Sequence, residues 1–289
     1  MTKTSEQIGA KAWAIRLTQI LNVVGDDNRF PINVADFSMG YSRQRFGNDA
    51  ITLVKGVPLD GFEGALAKAP SHKLGWGILY NSAIRSPGRI LYTQAHEFGH
   101  YLLHREKYPD GLQCGEDDTL KWDSELGQIE YEANVFAAWL LMPFDDFRRI
   151  IPGDAKPTIQ DIGRSAERYG VSLTAAALRW LEYTARRSVL VVSRDGFILW
   201  SKPSKSALKT RAFIRTKNLP PRPVPESSLA ASSLTLESQR LHNSGVWFNE
   251  PCEEHVLRSD QFDLTISLIH LEDADSADHF KELSSREPT

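Results

Sequence analysis

The chain has 289 residues, room for about two domains, and it is 41% hydrophobic and 25% charged, enough apolar material for a core and against wholesale disorder. Lys+Arg 34 against Asp+Glu 37 leave a net charge of -3, which excludes a uniformly basic nucleic-acid binder but not a local basic patch. No apolar run approaches the roughly 18 residues of a membrane helix, and MTKTSEQIGAKAW at the start lacks the apolar core of a signal peptide. Two cysteines, Cys114 and Cys252, are too few for a disulfide framework. A cytoplasmic protein with no membrane partner is expected.

In chain order, residues 5–24 place Ile8, Trp13, Ile15, Leu17, Ile20, Leu21 and Val24 at helical spacing. Three strand-like runs follow, Ile51 to Val57, 61–68 and 75–81, and together they predict a small antiparallel sheet. Arg89 to Leu103 reads as a buried helix, and 110–123, rich in Gly and Asp, as a loop. Helical periodicity resumes from Glu125 to Met142, where Pro143 stops it, and again from Ile159 to Tyr183 with a break at Gly170. Beyond Arg187 the pattern turns to strands: 188–200 as two strands joined at Arg194-Asp195-Gly196, and 262–272 as a further one. The boundary of the last domain is placed near residue 187, and the tail from about 273 is polar.

The most informative residues are His96-Glu97-Phe98-Gly99-His100. On a helix, i and i+4 share a face, so both imidazoles can reach one metal, and neutral imidazole suits Zn²⁺. Glu97 is the candidate general base. The competing reading is a surface helix with two unrelated histidines, and the apolar flanks Leu91 and Tyr101-Leu102-Leu103 argue against it. A catalytic zinc usually takes three protein ligands. Glu130 on the following helix can be the third, with Asn134 one turn on steadying a ligand histidine from behind. Glu132 lies about 200° round the helix from Glu130 and reads as a solvated charge; Asp123 and Glu125 rank lower. His104 extends the histidine face by a turn; a fourth ligand is one reading, a helix-end histidine on the macrodipole the favoured one.

HEFGH followed by ExxAN-x-FAA-x-LLMP resembles the ImmA/IrrE family of zinc metallopeptidases, over about residues 60–200. The resemblance implies an α+β, zincin-like peptidase core (1–150), a helical, helix-turn-helix-like connector (151–187) and a C-terminal GAF-like α/β sensor domain (188–289). It maps the zinc ligands onto His96, His100 and Glu130, a gluzincin-like set, with Glu97 catalytic. It further implies a site-specific endopeptidase that cuts a cognate helix-turn-helix repressor in response to DNA damage or phage stress; radiation-response proteases and a CapP-like antiphage branch are both open.

Further readings stand on residues outside the motif. Cys114, in the loop between the two site helices, offers a thiolate that would latch the zinc, against an ordinary loop cysteine. Residues 196–225 carry Lys202, Lys205, Lys209, Arg211, Arg215, Lys217 and Arg222 with no Asp or Glu, and Trp200 and Phe213 sit among them. That mixture suits single-stranded nucleic acid, and the family resemblance implies that single-stranded DNA exposed by damage would be a natural activating signal; the competing reading is a solvated, mobile connector. The strand 75–81 is a candidate edge for substrate addition. Residues 158–181 have a helix-turn-helix cadence, read as structure first. If they read DNA, the chain would instead be a transcriptional regulator with a non-catalytic metal site. His242, His255, His270, His279, Cys252, Glu253 and Glu254 match no zinc spacing.

Overall fold

The computed structural model describes residues 8–25, 29–115, 125–232, 238–259 and 263–273, with the side chains of 113–115 outside that description. The chain divides into two compact units: Met1–Asp146 with Ala166–Ser172, and Phe147–Ser165 with Leu173–Thr289.

The first unit begins with helix α1 (Ala10–Val24), which buries Ala10, Ala14, Leu17 and Thr18, a stripe at i, i+4, i+7 and i+8. Ile15, Val23 and Val24 face outward, so the buried stripe is set by small residues more than by the large ones that signal the helix. Helix α2 (Val34–Phe46) has no counterpart in the sequence reading. Its buried face includes Ser38 and Ser42, which show no apolar period. Asn33 caps it, accepting from the Asp36 amide at 3.1 Å, and Ser42 Oγ accepts from the Ile51 amide at 2.9 Å.

Strands β1 (Ile51–Val57), β2 (Phe62–Lys68), β3 (Trp76–Asn81) and β4 (Gly111–Gly115) form one sheet in the order β1-β3-β2-β4. The expected antiparallel sheet is corrected here. β3 folds back on β2 antiparallel but slots between β2 and β1, so that β1 and β3 run parallel. β3 is therefore a central strand, and the expectation that it is an exposed edge fails; the edges are β1 and β4. Part of the expected 110–123 loop is strand, since Gly111–Gly115 pairs with β2, and 116–124 lie outside the described residues.

Helix α3 (Pro87–His104) starts at Ser86 with Pro at its first turn. Helix α4 (Glu125–Leu141) packs beside it and against α1. α5 (Phe144–Ile150) and α6 (Ile159–Tyr169) follow, then α7 (Leu173–Leu181) after Gly170, whose φ of +64° suits a helix-ending glycine.

The second unit is mostly β. Strands β5 (Ser188–Arg194) and β6 (Phe197–Pro203) make a hairpin whose turn residues Asp195 and Gly196 have φ of 51° and 77°, the doubly left-handed turn that matches strand twist. After the short helix α8 (Lys205–Lys209) come β7 (Arg222–Pro223), β8 (Gln239–His242), β9 (Cys252–Ser259) and β10 (Leu264–Leu271). All six strands are antiparallel, in the order β7-β6-β5-β10-β9-β8. Val189, Val191, Ile198, Ile269 and Leu271 supply one face of its core, packed with Trp247 and Ile214. Among the described residues no helix is long and apolar enough to cross a membrane.

Candidate metal centre

α3 presents Tyr92, His96, His100 and His104 at successive i+4 positions, one stripe along the helix. α4 presents Glu130, Glu132 and Asn134. Two small residues let the helices close. A Cβ on Gly99 would stand 2.9 Å from Phe136 Cδ1 and 3.3 Å from Ala133 Cα, so the glycine inside the histidine motif and the alanine after Glu130 are what bring the ligand-bearing faces together. β2 approaches from its own side: a Cβ on Gly64 would lie 2.5 Å from Thr93 Cγ2 and 2.6 Å from Glu97 Oε1.

His96, His100 and Glu130 are buried, and each offers an atom within 4.8 Å of the others. The two Nε2 atoms are 2.9 Å apart; Glu130 Oε2 is 3.2 Å from that of His96, and Glu130 Oε1 is 3.0 Å from that of His100. The far sides of both rings are engaged. His96 Nδ1 lies 3.0 Å from Asn134 Oδ1, which also accepts from Tyr92 Oη at 2.6 Å. An amide oxygen only accepts, so His96 Nδ1 donates and its Nε2 carries the lone pair. His100 Nδ1 lies 3.0 Å from His104 Nδ1, and His104 Nε2 lies 3.1 Å from Glu132 Oε2.

Potential ligand atoms therefore converge, and this is the test of whether a cation fits. Two imidazole nitrogens and a carboxylate crowd one point, and among the described residues Glu130 Oε1 and Glu97 Oε2 are buried without a hydrogen-bond partner. Glu130 Oε1 lies 3.0 Å from His100 Nε2, which can donate to it only in the tautomer that carries its proton there. Unspent buried acceptors cost free energy that a divalent cation would recover. The residues fit a metal.

The electrostatics follow. Burial raises the Glu97 carboxyl, attraction to His96 opposes it and repulsion from Glu130 adds, leaving Glu97 at about 8. Burial drives His100 down to about 4. Burial also works against the Glu130 carboxylate, but the imidazoles of His100 and His96 outweigh it and hold Glu130 below the ordinary carboxylate range.

Two readings of the sequence are corrected. Glu132 is not simply a solvated charge; it holds His104 and accepts from Gln128 Nε2 at 2.9 Å. His104 is not merely set against the helix dipole, because both its ring nitrogens face side chains, and it stands outside the converging trio. Tyr92, Gly99 and Gly64 escaped the sequence reading. The i+4 series from Tyr92 to His104 would have revealed the first; nothing local reveals Gly64, whose neighbours come from α3. Cys114 has its backbone in β4, and its side chain lies outside the described residues. Lys202 (β6), Lys205 and Lys209 (α8), Arg211, Arg215 and Lys217 are all exposed in the second unit, and the Arg215 guanidinium stands 5.4 Å from the Phe213 ring centroid.

Residues 53–181 match the peptidase family model described as the IrrE N-terminal-like domain, a stretch that includes all three converging side chains and runs on through α6 and α7. No curated protein matches the chain. Residues 53–181 are thus a domain of the ImmA/IrrE metallopeptidase type, and a protease domain implies a protein substrate.

Proposed function

We propose that this chain is a zinc-dependent, site-specific endopeptidase in which His96, His100 and Glu130 hold the metal and Glu97 is catalytic. The observation that carries the reading is the pair of unspent buried oxygens, Glu97 Oε2 and Glu130 Oε1, beside two converging Nε2 atoms. Two imidazoles and one carboxylate suit Zn²⁺ and leave a coordination position open. Such a metal, when bound, polarises a scissile carbonyl and lowers the pKa of water. Glu97 supplies the proton traffic: its Oε2 is free to take a proton, and a carboxyl at about 8 in the metal-free site, lowered by a nearby cation, falls in the range where it can both accept and return one near neutral pH. Asn134 and Tyr92 fix the His96 ring, and β2 excludes water from one side of Glu97 by its approach at Gly64.

The substrate we propose is a cognate helix-turn-helix repressor, cut in response to DNA damage or phage stress in the cytoplasm. The second unit is the sensor; its six-stranded antiparallel sheet supports a GAF-like reading, with residues 1–150 as peptidase, 151–187 as connector and 188–289 as sensor. Single-stranded DNA is the proposed activator. Its support is the exposed basic run from Lys202 to Lys217, next to an open cleft lined by Arg194, Phe197, Leu199, Leu219, Pro220 and Arg222. A groove that mixes guanidinium and apolar surface suits a stacked, charged strand.

The test incubates the purified chain and zinc with the helix-turn-helix protein encoded beside it, with and without single-stranded DNA. Wild type should cut it, faster with DNA; Glu97→Gln should keep its zinc and lose at least about a hundredfold in rate, the scale of general-base catalysis. Glu97→Gln cutting as fast as wild type would sink the peptidase mechanism.

A further inference from the structure

The two ring nitrogens that face away from the proposed metal position are treated differently. Behind His96 stands an amide oxygen, which can only accept, so His96 has one available tautomer. Behind His100 stands another imidazole, His104, buried and one turn further along α3, and an imidazole has two tautomers. With its proton on Nδ1, His104 would force His100 to accept there and to carry its own proton on Nε2, the nitrogen that faces Glu130 and His96. With its proton on Nε2, His104 leaves a lone pair at Nδ1 and the His100 proton is drawn to the far side. Glu132 Oε2, 3.1 Å from His104 Nε2, can only accept, and Gln128 steadies its other oxygen.

We propose that His104 is a positioning residue for metal capture: Glu132 selects the His104 tautomer, and His104 in turn selects the His100 tautomer that presents an unprotonated Nε2. The inference rests on reading His96, His100 and Glu130 as the metal-binding set. His104 itself is no ligand, since its two nitrogens are turned to His100 and Glu132. The device runs from a half-exposed carboxylate through a buried ring to the ligand, the pattern by which outer groups orient metal-binding histidines.

The experiment is zinc binding by the full chain, read by competition with a chromophoric chelator, and it needs no turnover. An asparagine places Oδ1 near the position of a histidine Nδ1, whereas a glutamine amide falls near Nε2. His104→Asn should therefore bind zinc within about threefold of wild type, while His104→Gln and His104→Ala weaken it by about 10- to 100-fold, the usual effect of losing such a partner. Glu132→Leu should weaken it in the same direction by less. Nitrogen-15 spectra of the zinc-loaded wild type should show His104 with its proton on Nε2 and His100 with its proton on Nδ1. A space-filling role predicts no advantage of His104→Asn over His104→Gln, so equal affinities of those two variants overturn the inference, as does a His104 proton on Nδ1. Tight zinc binding by wild type with an unaffected His104→Gln overturns this inference alone; wild type that binds no zinc overturns the metal reading and this inference with it.

Discussion

Each unit buries carboxylates beside imidazoles, and Glu254 in the second spends its lone pairs in the opposite way from Glu130 and Glu97 in the first. In the second unit Glu254 is fully buried and takes two hydrogen bonds on each oxygen. Oε1 accepts from the Ala230 amide (3.1 Å) and Ser267 Oγ (3.1 Å); Oε2 accepts from the Leu229 amide (2.8 Å) and His242 Nε2 (2.7 Å). A carboxylate has about four acceptor sites, and all are used. His270 is similarly engaged, with Ser188 Oγ at 2.8 Å and the Pro157 carbonyl at 3.0 Å. In the first unit Glu130 and Glu97 are as deeply buried, yet each has an oxygen with no hydrogen-bond partner. Residue type and burial are alike in the two places. What separates a scaffold from a candidate reaction centre is whether the acceptors are already spoken for.

The largest expected effect breaks that contrast where it is sharpest. Glu254→Ala strands four donors, most of them buried, and should cost about 3–5 kcal/mol in urea unfolding of the second unit. Glu130→Ala should abolish stoichiometric zinc binding while costing the metal-free protein less than Glu254→Ala does, because it removes the attraction of two imidazoles but strands no backbone donors. If Glu130→Ala destabilises the metal-free chain as much as Glu254→Ala does, Glu130 is structural and the contrast collapses.

Much of the first cluster is legible in the sequence because helices encode it locally. His96 and His100 at i, i+4, and Glu130 and Asn134 at i, i+4, read directly as two faces. What is not legible is how the two faces meet. The direction of Glu132 on its own helix does not reveal its partner: contact with His104 depends on where α4 crosses α3, and that is set by Gly99 against Ala133 and Phe136. The strand order failed for the same reason. The β2–β3 hairpin is a short-range signal, whereas the insertion of β3 beside β1 depends on packing between segments about 25 residues apart. α2 is not legible because serines occupy its buried face. Nothing local separates Glu254 from Glu130 either, since the amides of Leu229 and Ala230 reach Glu254 from another part of the chain.

Two smaller effects sharpen the first cluster. Gly99→Ala should cost about 1–3 kcal/mol, as overpacking does, and weaken zinc binding measurably by the same chelator competition, because its Cβ meets Phe136 and parts the ligand faces. Unchanged zinc affinity would detach the close helix approach from the metal site. Next comes pH. Glu97 is raised from the ordinary 4.5 to about 8 in the metal-free fold, so between those values the unfolded chain releases a proton that the folded chain keeps. Folding stability of the metal-free protein is then lost as pH rises through that window and levels off above about 8. Glu97→Gln should flatten this slope and melt several degrees above wild type at pH 8. Parallel melting curves against pH would show that Glu97 ionises without penalty and that its burial does not matter.

The smallest effect on stability tests the contrast between spent and unspent groups in cations. Arg187 is buried and grips Glu250 through two hydrogen bonds of 2.7 and 2.6 Å, besides the Glu272 carbonyl at 2.7 Å, so its charge is committed to the fold. Lys205, Lys209 and Arg215 stand exposed, and nothing in the core depends on their charge. Changing these three together to serine should move stability by less than about 0.5 kcal/mol, as surface substitutions do. If they contact a single strand, the same change lowers oligonucleotide affinity and removes about 0.7 from the salt slope for each lost phosphate contact. An unchanged salt slope would mean that these charges serve solubility alone. A large loss of stability would mean that they are committed after all, as Arg187 is, and either outcome would remove the basic run as the place where a signal enters the second unit.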